Sequence, residues 1–251
     1  MNPLTYIILF GSVVFGALIV KIFKAQSGKR MKLLIAFSGA YLFAITVLHL
    51  IPEIYHTNTD GTYIGLFILI GFFLQIILEH FSQGIEHGHA HLHGSVPVSM
   101  MIGLCIHAFL EGMPLGDHVH HHHHHTHDAL LTGIALHKIP VSIVLLSMFI
   151  HNGMKKTYAY ALLFLFAIMS PLGAFVSNYI SHIGQFYDEI MAIVVGIFLH
   201  ISTTILFESS EGHHFNTQKM VAIILGAGIA LLGMVISVSY THLTLPTTPY
   251  V

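Results

Sequence analysis

Residues 103–116 read GLCIHAFLEGMPLG, an apolar run that encloses His107 and Glu111. Four residues apart, the two side chains share one face of a helix. A second apolar run carries His137 and Lys138. A charge at the centre of a lipid-facing helix costs roughly 3 kcal/mol or more, so ionisable groups there are functional by default. Neutral imidazole and carboxylate are the ligands of a divalent transition metal, zinc above all, with Fe2+, Mn2+ and Cd2+ also compatible. A bound cation would neutralise Glu111 and satisfy the imidazole nitrogens. His107, Glu111 and His137 are therefore the candidate metal ligands. Pro114 and Pro140 follow closely and free the carbonyls of Leu110 and Leu136. Broken helices near the midplane are characteristic of transporter sites, where unwound carbonyls help coordinate ions. The competing reading is a His–Glu hydrogen bond tying two helices together, with the prolines as ordinary kinks.

Weaker signals surround this pair. His49 and Glu53 sit four apart in HLIPE, Glu79 and His80 are adjacent, and His200 lies in another apolar run with Glu208 beyond it. Each alone is more often a hydrogen-bonded residue than a ligand, but together they suggest a polar path beside the central site. Two histidine tracts add to them. HGHAHLHG places His87, His89, His91 and His93 at alternate positions. HVHHHHHHTH supplies His118, His120, His121, His122, His123, His124, His125 and His127. Flexible tracts of this kind bind divalent metal with little geometric demand. An inserted tag is the alternative for the second tract, but it leaves the first unexplained.

The elements that must position these residues are transmembrane helices. The chain of 251 residues is 55% hydrophobic and 8% charged, against roughly 25% charged in a soluble domain. Its 23 histidines outnumber the nine Lys and Arg together. A net charge of −2 argues against nucleic acid as a partner. The single cysteine, Cys105, excludes an internal disulfide framework. Residues 1–20 carry no charge and so lack the positive start of a secretory signal. A helix needs about 20 apolar residues to cross the hydrocarbon, and eight windows qualify: 3–23, 32–54, 62–82, 97–117, 128–150, 157–179, 188–208 and 218–238. They are called spans 1 to 8 here.

Orientation follows from the Lys and Arg of short loops. Lys21, Lys24, Lys29, Arg30, Lys32, Lys155, Lys156 and Lys219 all fall in loops on one side of the membrane. The other side has none, which places both termini outside. Residues 238–251, VSYTHLTLPTTPYV, abandon apolar periodicity for Thr and Pro and read as a non-native tail.

These residues resemble the ZIP family of zinc and iron transporters over spans 1 to 8. The resemblance rests on HLIPE in span 2, the His-rich loop after span 3, HAFLEG in span 4 and HKIP in span 5. SPLGA in span 6 and GIFLHISTTILFE in span 7 are similar too. It implies import of divalent metal into the cytoplasm, through a site between spans 4 and 5, usually in a dimer. In the span-4 pattern of the family, His107, Glu111 and Gly112 match, while Ala108 and Leu110 do not. In the span-5 pattern, His137, Lys138 and Pro140 match, but Val141 replaces a glutamate and Ser142 a glycine. Ser170 stands where some members carry a glutamate on span 6. Lys138, Pro140 and Ser170 thus form an auxiliary site that lacks the ligands of a second metal.

The expected protein is an all-α polytopic membrane protein. It has one transmembrane domain over 1–237, with His-rich loops at 84–96 and 118–127, and sits in the cytoplasmic membrane as a candidate homodimer. It is a zinc importer rather than an enzyme, and no H-E-x-x-H helix of a zinc hydrolase is present. The alternative is a metal-sensing or scaffold protein that has lost transport, motivated by Val141. Lys138 is expected to act as a counter-ion to Glu111, or else to reach away toward the surface.

Overall fold

The computed structural model describes residues 3–23, 29–57, 60–82, 98–116, 124–179, 183–207 and 217–243. In lipid every backbone N–H and C=O must be satisfied within its own segment, so apolar runs of this length become helices. Each of the eight windows holds a helix, and no strand occurs among the described residues. Helix α1 covers Pro3–Phe23 and α2 covers Lys29–Ile45. A π-turn over Thr46–Leu50 joins α2 to α3, Ile51–Thr57. Then come α4 (Gly61–Ser82), α5 (Val98–Gly112), α6 (His124–His151) and α7 (Lys156–Tyr179). Helices α8 (Tyr187–Phe207) and α9 (Thr217–Leu243) complete the described residues. Among the described residues, seven helices are long and apolar enough to cross a bilayer, and Thr217–Gly233 adds a shorter apolar stretch in α9. This is a polytopic membrane protein.

Two sequence expectations are corrected. The proline breaks differ: α5 ends at Gly112 and tightens into a 3-10 turn over Met113–Leu115, whereas α6 runs unbroken through Pro140. Proline's fixed φ is itself helical, so one lost hydrogen bond is tolerated where neighbouring helices hold the backbone. Helix α6 is held in this way, with 72% of its span buried against 33% for α1 and 22% for α4. The second His tract is not all loop either, because α6 begins at His124 and takes in His124, His125 and His127. A further irregularity lies in span 2, where Pro52 removes the N–H that would bond the Leu48 carbonyl. The chain widens there, and the Ile51 N–H donates to the Thr46 carbonyl.

The helices pack in two groups. Helix α1 lies on α6 and α7, and α5 lies on α7; α4 lies on α8, and α2 on α8 and α9. The α2–α6 and α4–α5 contacts join the groups. Small residues allow the closest approaches, as is usual for helices in lipid. A Cβ on Gly71 would lie 2.0 Å from the Ile193 carbonyl oxygen, and one on Gly196 would lie 2.0 Å from that of Ile68. The α5–α7 seam repeats this reciprocity. A Cβ on Gly112 would meet the Ser170 carbonyl oxygen at 2.1 Å, and one on Gly173 that of Phe109 at 2.0 Å. This second seam brings the end of α5 against the middle of α7.

Candidate metal site

Glu111 lies in the last turn of α5, where the helix dipole presents its negative end. It is 1% exposed, so both burial and dipole oppose its charge. Three helices respond. From α6, Lys138 Nζ lies 2.5 Å from Glu111 Oε1. From α7, the Ser170 hydroxyl lies 2.9 Å from the same oxygen and 2.6 Å from the Ala108 carbonyl oxygen. Its single proton serves one acceptor at a time. On α5 itself, His107 Nε2 stands 3.4 Å from Glu111 Oε2. Lys138 is 1% exposed and turned inward, with Nζ 4.4 Å above the Phe166 ring centroid. The ring face gives the ammonium a second favourable contact.

His107 and His137 are both buried, at 3% and 2% exposure. His137 precedes Lys138 on α6, and Val141 follows four residues after His137, also buried. Among the described residues, no group of three or more His, Cys, Asp and Glu side chains is arranged to hold a metal ion. Glu111 is engaged instead with Lys138, Ser170 and His107. The spacing of the sequence pointed to His107 as a neighbour of Glu111. Contact with Phe166 had no sequence signal, and Ser170 was marked only as the position of an absent glutamate.

The outlying polar residues divide. Glu79 on α4 and His200 on α8 meet, with Oε2 and Nε2 2.5 Å apart. Phe72 packs edge-on to the His200 ring at 5.0 Å. His80 is exposed and turns to Phe81. His49 lies in the π-turn and Glu53 in α3, both half-buried. His127 Nδ1 lies 3.6 Å from Asp128 Oδ1. His87, His89, His91, His93, His118, His120, His121, His122, His123 and Glu208 lie outside the described residues.

Comparison with known proteins follows the same direction as this chemistry. A sequence model of the ZIP zinc transporter family matches residues 86–235, the stretch that holds α5 to α8 and most of α9. Zinc transporter ZIP9-B of Xenopus laevis is 23% identical, over 74% of this chain and 68% of the relative. Zinc transporter ZIP9 of Micropogonias undulatus is also 23% identical, over 71% of this chain and 65% of the relative.

Proposed function

The chain belongs to the ZIP zinc transporter family, and we propose from that premise that it imports zinc into the cytoplasm through a site on α5 and α6. Membership makes it a transporter of zinc or a related divalent metal rather than an enzyme. The finer reading assigns His107, Glu111 and His137 as ligands for the passing ion. It is carried by one observation: a fully buried carboxylate whose charge is met by the equally buried ammonium of Lys138.

A carboxylate that stays ionised when buried is costly unless a cation is paired with it. Lys138 fills that need when no metal is present. An arriving dication replaces the ammonium at Glu111, and Lys138 retains the Phe166 face as it withdraws. The charge on Glu111 is thus compensated in both states, which lowers the barrier to loading and to release. A short ligand set suits this use, because a conducted ion must leave as readily as it binds. The side-specific Lys and Arg of the loops support a topology with both termini outside; inward transport, a homodimer and the cytoplasmic membrane are the expectation for a family member.

A second reading, a metal-sensing or scaffold protein without transport, draws on Val141 in place of the family's span-5 glutamate. Uptake of isotopic zinc into sealed vesicles separates the two. Wild-type protein should accumulate zinc, and Glu111→Gln should lose most of the flux while folding normally. Wild-type protein that binds zinc but moves none establishes the second reading. Undiminished flux in Glu111→Gln places the ion path elsewhere.

A further inference from the structure

Helices α1 and α7 leave between them a groove of about 550 Å³ that does not belong to the ion site. Its volume is that of an ordinary ligand pocket. One end holds Lys21, from the last turn of α1, and Lys156, the first residue of α7. Tyr160 lies one turn below, and the rest of the lining is apolar. The far end is closed by Phe10 and Phe164, whose rings meet edge-to-face at 5.8 Å. From Lys21 to Phe10, and from Lys156 to Ala167, the helical rise is about 16 Å. Half of a ~30 Å hydrocarbon core is about 15 Å. The groove therefore runs the depth of one leaflet, with both lysines at headgroup level. Among the described residues, no Asp or Glu lines it. Both lysines fall on the Lys- and Arg-rich side of the chain, the side read as cytoplasmic.

We infer that this groove binds an anionic phospholipid of the inner leaflet, with its phosphate between Lys21 and Lys156 and one acyl chain laid between α1 and α7. The apolar depth selects a membrane lipid over a soluble anion, which has nothing to place there. The two ammonium groups select an anionic headgroup over a zwitterionic one, whose own cation would be brought toward them. Basic pockets between transmembrane helices on the cytoplasmic side recognise such headgroups. The inference stands apart from the transport reading, because neither lysine touches Glu111, His107 or His137.

The chain contains no tryptophan, so Leu18→Trp places a single fluorophore in the groove wall. Leu18 is 47% exposed, so a larger ring there should leave the core in place. The full-length variant is reconstituted in vesicles, and quenching by phosphatidylglycerol brominated on its acyl chains is compared with quenching by brominated phosphatidylcholine. The anionic lipid should quench at a lower mole fraction, by roughly fivefold for each lysine engaged. Ile77→Trp, on the lipid-facing surface of α4 at 55% exposure, should show no such preference. Adding Lys21→Gln and Lys156→Gln to Leu18→Trp should remove it. Equal quenching by the two lipids, or a preference that survives loss of both lysines, overturns the inference. So does absence of quenching by either lipid, which would mark a second protein chain seated over α1 and α7.

Discussion

Replacing Lys138 by methionine tests whether its ammonium is the resident partner of Glu111. Both side chains are 1% exposed, and their polar atoms are 2.5 Å apart. Removing one member of a buried pair strands the other and costs about 3–5 kcal/mol. Glu111 would keep Ser170 and His107, so the loss should fall near the lower bound, about 3 kcal/mol. For a chain of this size that is a fall in melting temperature of about 6–12 °C. Melting is followed on purified full-length protein, without metal, through the reactivity of the half-buried Cys105 thiol. Lys138→Met combined with Glu111→Gln removes both charges and should recover most of the loss.

Zinc supplies the second half of this test. In wild-type protein an ion that binds Glu111 must displace the ammonium. In Lys138→Met it meets a carboxylate with no cation, and binding should tighten by as much as about 3 kcal/mol, roughly a hundredfold. Zinc should then raise the melting temperature of the variant further than that of the wild type. Maximal uptake need not rise, because a tightly held ion is released slowly. Melting that is unchanged without metal, with the same response to zinc as wild type, would refute the reasoning.

Three further outcomes follow from the same geometry. Gly112→Ala puts a Cβ 2.1 Å from the Ser170 carbonyl oxygen and should destabilise the α5–α7 seam by about 1–3 kcal/mol; thermal unfolding and zinc uptake should fall together, and a variant with wild-type values for both would show that the seam does not position Glu111. Val141→Glu adds a carboxylate one turn from His137 and should tighten zinc binding to the membrane domain, measured by titration after both His tracts are shortened; unchanged affinity would count against a ligand role for that face of α6. With Cys105 replaced by alanine, a cysteine at position 58 should react with an impermeant reagent on intact cells and one at position 90 should not; the reverse labelling would invert the topology and the direction of transport.

Much of this architecture was legible because lipid makes two demands that leave marks in sequence. Apolar windows of fixed length marked the helices, and the cost of buried charge marked Glu111, Lys138 and the histidines. The partners of those charges were harder to read. Helical periodicity joins His107 to Glu111 because both ride on α5. It carries nothing about which neighbour faces the end of that helix. That depends on Gly112 and Gly173, which let α5 and α7 close until Ser170 reaches Glu111. Prolines were equally dependent on context. Pro114 stands where α5 is ending, and Gly116 then turns extended, with ψ of 154°. Pro140 stands in the most enclosed helix, whose neighbours hold it in line. The Glu79–His200 pair makes the same point from the other bundle. Alone, Glu79 reads as a polar group near the end of one span and His200 as one within another, and only the close α4–α8 packing around Gly71 and Gly196 brings them together. Charges in this membrane protein announce themselves residue by residue, but their compensation is a property of helix seams. Substitutions at the seam glycines should therefore disturb the ionic site as surely as substitutions at the ionic residues themselves.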